Sequence, residues 1–314
     1  IRDRPGVVTI NNDLVSREEV PDLEAIPPSI EVGPATLEGW AVTAGISIAL
    51  RQFGFHVVIL ELGLGAALDT ASNLLDLRVI QRVVALLPKV YACWFAPPCA
   101  TWGRFGIFNG ATRSVARPQG LNRSDWELEG TLNMCVAVYF ILECVKQGVF
   151  VTLEHPDKSL CWCLCLLRML NSSGHMYWYL LDQCGWLARP SDWRPVQGDL
   201  RSRKTTRLAT SCDWLYRLVR RCRQQPAHAH VVIEGKAANG LARARQSAAY
   251  PVLMCTEYAR LVREAWNQGA RPNVSALPVA LQKVALVDVI DSVAYWWNAQ
   301  DRWLRAGHEL RAPR

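Results

Sequence analysis

The stretch VYACWFAPPC, residues 90–99, decides the fold class. Its first seven residues are apolar without interruption, which is typical of a strand that is buried on both faces. Pro97 and Pro98 end the strand, because proline lacks the amide hydrogen that a sheet requires. Two similar runs, FHVVILEL at residues 55–62 and VFVTLE at residues 149–154, predict further buried strands on either side of it in the chain.

Helical stretches alternate with these strands. Apolar periodicity predicts helices over residues 46–53, 74–87, 126–146, 159–170, 250–266 and 284–303, and further strands over 176–184 and 207–211. This alternation predicts an α/β fold with a doubly wound, mostly parallel sheet of the Rossmann-like type. In such sheets the ligand lies beyond the carboxyl ends of the strands, so residues at those ends are the first candidates for a functional site.

Composition excludes several classes of protein. Half of the 314 residues are hydrophobic and 20% are charged, which excludes a disordered or fibrous chain. We find no stretch that predicts a membrane span and no signal peptide, and therefore expect no membrane partner. Eleven cysteines without framework spacing predict mostly free thiols in a reducing, intracellular compartment, which is the nucleus if the source is eukaryotic.

The domain organisation is predicted in three parts. Residues 1–35, rich in proline and acids, are interpreted as a linker or lead-in, residues 36–270 as one α/β domain, and residues 271–314 as a helical extension. Because the chain begins with Ile1 rather than Met, we expect a segment of a longer polypeptide with further domains as partners.

Positive charge is concentrated in one segment. Residues 201–223 contain eight Arg or Lys and one acid, a net +7 that equals the net charge of the whole chain. Such a concentration attracts phosphate backbones and favours a nucleic-acid partner, and Trp214 and Tyr216 within it could stack on bases. The alternative is a solvated helix face followed by a loop.

Two groups of Cys and His residues are candidate metal ligands. Cys161, Cys163 and Cys165 alternate, whereas zinc fingers use Cys-x2-Cys or longer gaps, so small buried hydrophobes are favoured there. A looser group consists of Cys222, His228 and His230. It could bind a metal, but this is the less favoured interpretation, and we assign no metal ligand.

Two strand ends carry residues that could do chemistry. Cys99 follows the strand that ends at Pro97-Pro98, and Glu154 ends the strand at residues 149–154. Together they could act as a nucleophile and a general acid, and a nearby guanidinium such as that of Arg104 would favour the thiolate. Each residue alone is more often structural.

Four motifs in order resemble a divergent branch of the cytosine-C5 DNA methyltransferase family. They are PPCATW (residues 97–102), EHPDKSLCW (154–162), RKTT (203–206) and AAYP (248–251). The resemblance implies a methyltransferase of Rossmann-like fold that binds DNA and uses S-adenosylmethionine. It implies that Cys99 attacks C6 of a flipped cytosine while Glu154 assists at N3.

The resemblance also implies binding residues. The cofactor would contact Gly45, Glu61, Asp76 and Pro97, and DNA would contact Thr101, Arg104, Arg203, Lys204 and Arg207.

The sequence also departs from the family pattern. Only Gly45 remains of the glycine turn, His155 replaces the usual asparagine, and no large target-recognition domain is evident. Two alternatives therefore stay open. One is a catalytically decayed module that binds nucleic acid or serves a structural role in a larger, mobile-element-type polypeptide. The other is a cysteine hydrolase in which His155 activates Cys99.

Overall fold

The computed structural model describes residues 34–41, 44–60, 74–75, 77–188, 199–224, 227–233, 249–272, 277 and 279–289. The strands within these ranges are β1 (Ala35–Gly39), β2 (His56–Leu60), β3 (Val90–Phe95), β4 (Phe150–Pro156), β5 (Tyr177–Asp182), β6 (Leu200–Arg203), β7 (Thr205–Thr210) and β8 (Ala229–Val232). The α-helices are α1 (Gly45–Gln52), α2 (Leu77–Leu86), α3 (Arg104–Phe108), α4 (Asp125–Lys146), α5 (Cys165–Ser172), α6 (Val252–Asn267) and α7 (Val279–Gln282).

Six strands form one sheet in the order β2-β1-β3-β4-β7-β5, and β6 pairs with β8 in a second, two-stranded sheet. The pairs β1–β2, β3–β4 and β6–β8 are parallel. The expectation of an α/β fold with a mostly parallel sheet is confirmed. The order reverses at β1, which has β2 on one side and β3 on the other.

The sheet is nevertheless mixed, because β7 runs against β4. The hydroxyls of Thr152, early in β4, and Thr210, at the end of β7, lie 2.8 Å apart. At the opposite end, Arg207 donates to Asp157, just beyond β4. Pairing of the start of one strand with the end of the other defines an antiparallel pair.

Several boundaries differ from the sequence prediction. The helix predicted over residues 159–170 is divided into a 3-10 helix, Leu160–Cys163, and α5, because Leu164 has an extended backbone with ψ of 133°. The strand predicted over 176–184 ends at Asp182, and a 3-10 helix, Gln183–Trp186, follows. Strand β1 was not predicted. The predictions for residues 1–33 and 290–314 lie outside the described residues.

The chain divides into two compact units, which are described separately. Of the described residues, the first unit takes those within 1–72, 180–206 and 214–270, and the second takes the rest. In the first unit, α1 packs on the β1–β2 pair and against α6. Arg263 of α6 donates through Nε to the carbonyl of Phe53 at 2.9 Å, which fixes the chain between α1 and β2.

In the second unit the core forms around β3 and α4. All six residues of β3 are buried, and Phe95 stacks on Phe140 with ring centroids 5.5 Å apart. Ser124 caps the amino end of α4 by accepting from the amide of Glu127. Among the described helices, α4 is the one that is long and apolar enough to cross a membrane, but 72% of its most apolar window is buried, as in the core helix of a folded domain.

Candidate active site

The loop after β3 presents Cys99 to solvent and anchors the residues that follow it. Pro98, Cys99 and Ala100 are exposed, whereas Thr101 and Trp102 are buried. A turn joins the two parts, because the amide of Trp102 donates to the carbonyl of Cys99 at 3.0 Å. The loop therefore holds an accessible thiol on a rigid base.

This loop is joined directly to the segment after β4. The amide of Leu160 donates to the carbonyl of Trp102 at 2.9 Å. The indole of Trp162 donates to the carbonyl of Pro156 at 2.8 Å, and Ser159 accepts from the amide of Cys161. The first two motifs of the sequence analysis, which lie more than fifty residues apart in the chain, are thus in contact.

A buried guanidinium secures the base of the loop. Arg113 is 3% exposed, and its guanidinium carbon lies 3.7 Å from the ring centre of Trp102. Its Nε and Nη2 donate to the carbonyl and hydroxyl of Thr101, each at 3.0 Å. Burial lowers the pKa of Arg113 to about 10, against the opposing charge of Glu127, so it remains protonated at neutral pH.

The same guanidinium ties the loop to α4. Arg113 also donates to the carbonyls of Pro118, Gln119 and Glu127 and to the hydroxyl of Thr131. The carboxyl of Glu127, which is fully buried, accepts from the amide and hydroxyl of Thr112. Every N–H of Arg113 therefore has an acceptor, as a buried charge requires.

Glu154 lies near the matching end of the neighbouring strand, two residues before β4 ends at Pro156. In the parallel β3–β4 pair Phe95 is opposite Leu153, so Glu154 follows the last paired position, and Cys99 is four residues beyond Phe95. Both residues therefore belong to the carboxyl edge of this strand pair. Glu154 is 6% exposed and Cys99 is exposed, which places a buried acid and an accessible thiol at one edge.

His155 faces the other side of β4, since successive strand residues alternate. It is fully buried, and its ring meets that of Trp162 edge to face at 6.2 Å.

Arg207 lies in an aromatic cage beside this edge. Its guanidinium carbon is 5.5 and 5.1 Å from the ring centres of Trp162 and Trp178, and it is bonded to Asp157 at 2.8 Å. Burial raises the pKa of the Cys161 thiol, Cys99 adds to the rise, and Arg207 opposes it. Cys161 therefore lies within electrostatic range of both Cys99 and Arg207.

In the first unit, the turn between β1 and α1 holds Gly45, one of the four residues predicted to bind a cofactor. Gly45 begins α1, and the preceding Ala44 has a left-handed backbone with φ of 52°. The buried Glu38, on β1, accepts from the amide of Ser47 at 2.7 Å, so a carboxyl group already satisfies part of the amino end of α1. Trp40 also has a positive φ, of 57°.

The remaining predicted cofactor residues are only partly described. Pro97 is buried directly after β3, whereas Glu61 and Asp76 lie outside the described residues. Of the predicted DNA contacts, Thr101 is buried under Arg113, and Arg104 begins α3, with its side chain outside the description. The cofactor contacts therefore remain a prediction.

The basic segment at residues 201–223 is less open than its charge suggests. Acids from elsewhere in the chain pair with four of its eight cations: Asp199 with Arg201, Asp157 with Arg207, Glu264 with Arg217, and Asp182 with Arg221. Lys204 lies 5.8 Å from the ring centre of Tyr250, so the RKTT and AAYP motifs are in contact. Arg203, Tyr216 and Arg223 are exposed.

A second cluster lies in the first unit and involves sulfur and imidazole ligands. Cys184, Cys222, His228 and His230 place one ligand atom each within 4.8 Å of every other. The sequence indicated the last three, whereas Cys184 lies 38 residues upstream of Cys222 and was not predicted. Arg113 and the Trp162–Trp178 cage were not predicted either, because their partners come from distant segments and spacing offers no signal.

Comparisons with protein-family models, with curated proteins and with solved structures found no match.

Proposed function

We propose that this chain is an S-adenosylmethionine-dependent methyltransferase that acts on C5 of cytosine in DNA, with a Rossmann-like methyltransferase fold. The observation that carries the proposal is the exposed Cys99 at the same strand edge as the buried Glu154. A thiol that must reach a flipped base needs access, and a buried acid at the same edge can contact the N3 edge of that base away from bulk water.

The chain's own residues account for most of the chemistry. The Cys99 thiolate adds to C6 of cytosine, forming an Sγ–C6 bond, while the carboxyl of Glu154 hydrogen-bonds at N3 and stabilises the charge that reaches the ring. S-adenosylmethionine supplies the methyl group to C5. Loss of the C5 proton and cleavage of the Sγ–C6 bond then free Cys99.

The turn before α1 favours a cationic ligand over a phosphate. Dinucleotide-binding folds offer free amides at this helix start to a pyrophosphate. Here the carboxyl of Glu38 accepts from the amide of Ser47 at 2.7 Å, and an acid in this place repels phosphate. S-adenosylmethionine carries a sulfonium and an ammonium group, which suit an acidic neighbour.

The same turn supports one alternative, a decayed module that binds nucleic acid without catalysis. Trp40 and Ala44 have φ of 57° and 52°. A left-handed backbone costs a residue with a Cβ about 1–2 kcal/mol, and glycine would avoid that cost. A turn that carries side chains at two such positions hinders the close approach of a cofactor, as expected of a module without catalysis.

The first experiment is calorimetric titration of the purified chain with S-adenosylmethionine. We expect binding that is lost in Glu61→Ala and kept in Glu129→Ala, which removes an exposed acid on α4 as a matched control. No binding to a folded protein would exclude methyl transfer and leave the decayed module.

The second experiment measures transfer of labelled methyl groups to DNA. We expect Cys99→Ser to lower the rate by about 10³-fold or more, as loss of a nucleophile does, while the exposed Cys165→Ser control stays at the wild-type rate. DNA that contains 5-fluorocytosine should trap a covalent adduct at Cys99, because fluoride at C5 blocks release. Binding of the cofactor without transfer or adduct would favour the decayed module, and equal loss in both serine variants would refute the role of Cys99.

A further inference from the structure

The cluster of Cys184, Cys222, His228 and His230 is assembled from three separate segments of the first unit. Cys184 lies in the 3-10 helix Gln183–Trp186, and Cys222 follows the 3-10 helix Asp213–Leu218. The two histidines are two residues apart at the start of β8, so both rings lie on one face of the strand. Cys184 is buried and the other three are half-buried.

The distances match those of ligands around a tetrahedral zinc ion. Bonds of about 2.3 Å to sulfur and about 2.0–2.1 Å to nitrogen place neighbouring ligand atoms about 3.3–3.8 Å apart. Cys222 Sγ lies 3.4 Å from Nε2 of His228 and 3.4 Å from Nε2 of His230. The two Nε2 atoms are 3.0 Å apart, slightly closer than two zinc-bound nitrogens, and Cys184 Sγ lies within 4.8 Å of the other three ligand atoms.

The backbones of both cysteines are held by buried polar side chains. The carboxyl of Asp182 accepts from the amide of Cys222 at 2.8 Å and is itself bonded to the hydroxyl of Thr205 at 2.6 Å. Arg201, which is 2% exposed, donates to the carbonyl of Cys184 at 2.9 Å. Outer contacts of this kind fix the direction of metal ligands before the ion binds.

The histidines are positioned by strand pairing. In the parallel β6–β8 pair His230 is opposite Arg201, and the amide of Ala229 donates to the carbonyl of Asp199 at 2.9 Å. Arg201, which donates to the carbonyl of Cys184, is thus also the strand partner of His230.

We propose that Cys184, Cys222, His228 and His230 bind a structural Zn²⁺ ion. Two thiolates and two imidazoles in a tetrahedron favour zinc over calcium, magnesium or manganese, which prefer oxygen ligands. Four protein ligands leave no open position, so the ion stabilises the fold and does not activate water. It joins the segments on both sides of the basic stretch at residues 201–223. The site does not depend on the proposed methyl transfer.

The test is the metal content of the full chain, purified without chelators and measured by inductively coupled plasma mass spectrometry. We expect about one zinc ion per chain. Cys222→Ser and His230→Gln should lose it, whereas the controls Cys165→Ser and His56→Gln, which change exposed residues outside the cluster, should keep it. Zinc loss only in the first pair supports the site, and equal zinc in all four variants overturns it.

A second measurement on the unaltered chain covers the case in which the variants fail to fold. Replacement of zinc by Co²⁺ should give the intense visible bands of a tetrahedral ion and a thiolate charge-transfer band in the near ultraviolet. Chelation should lower the melting temperature, and added zinc should restore it. Absence of these bands and of any chelator effect would overturn the proposal, as would a disulfide between Cys184 and Cys222 in the native protein.

Discussion

Replacement of Arg113 by lysine tests whether the loop that carries Cys99 is secured by the guanidinium fork or only by its charge. Lysine keeps the positive charge but offers three donors from a single point, whereas arginine directs five N–H groups along a plane. The arginine reaches Thr101 on one side and Pro118 and Gln119 on the other. One ammonium group cannot reach both sides.

The loss in free energy of unfolding depends on which buried carbonyls are left without any hydrogen-bond donor when Arg113 is replaced. The hydroxyl of Thr131 has one proton and lies within reach of the carbonyls of Gln119 and Glu127, so it can satisfy one of these two acceptors after the change. The carbonyls of Thr101 and Pro118 are also at risk. A buried acceptor left unsatisfied costs about 1–3 kcal/mol, so we expect Arg113→Lys to lower the free energy of unfolding by about 2–4 kcal/mol. That is a large part of the roughly 5–15 kcal/mol of a typical domain.

The assay is urea unfolding followed by tryptophan fluorescence, with Arg117→Lys as the control. Arg117 is half-buried in the same loop region, and we expect its replacement to change the free energy of unfolding by less than about 0.5 kcal/mol. The reaction rate of Cys99 with a thiol reagent in native buffer should rise only in Arg113→Lys, since its loop is loosened. A loss of less than about 1 kcal/mol in the free energy of unfolding of Arg113→Lys would refute the reasoning, because a single unsatisfied acceptor already costs at least that much.

Two further variants test single contacts. Alanine normally stabilises a helix interior by about 1 kcal/mol relative to glycine. A Cβ at Gly130 of α4, however, would overlap the hydroxyl of Thr101, so Gly130→Ala should lower the free energy of unfolding by about 1–3 kcal/mol in the same urea assay. A more stable variant would contradict the contact. On α6, the hydrogen-bonded guanidinium of Arg260 holds the pKa of Glu257 below its ordinary value. A carboxyl whose pKa is lowered in the folded state stabilises the fold at pH values above its unfolded pKa of about 4.3, and this stabilisation is lost as the pH falls. Glu257→Gln should therefore lower the free energy of unfolding by about 0.5 kcal/mol at pH 7 and by progressively less below about pH 5. A cost that does not change with pH would refute the ion pair.

The sequence predicted those elements that have a strong local signal. The uninterrupted apolar runs predicted β3 and β4 to within two residues, and the helix over 126–146 was displaced by one residue at its start. Proline placement located the loop of Cys99, and strand order along the chain located Glu154. These features depend on neighbours in the chain, which a sequence displays directly.

Other features depend on tertiary contacts that no local pattern displays. Strand β1 is short and contains Glu38, whose partner Ser47 becomes visible only when α1 folds back. The eight cations at residues 201–223 seemed an open patch, because the acids that pair with four of them are remote in sequence or fall just outside the segment. Cys184 was overlooked as a ligand for the same reason, since its spacing from Cys222 matches no familiar zinc motif.

The position of β7 between β4 and β5 has a consequence for how the chain folds during synthesis. β5 is synthesised directly after β4 but does not pair with it, because β7, which is synthesised later, lies between them in the sheet. Thr205 follows Pro156 by 49 residues, so β4 keeps a bare edge for about 2–10 s at ordinary translation rates. An apolar strand with an open edge is a template for wrong pairing. The ribosome-bound intermediate, more than the finished protein, is therefore where we expect aggregation to begin and chaperones to be needed.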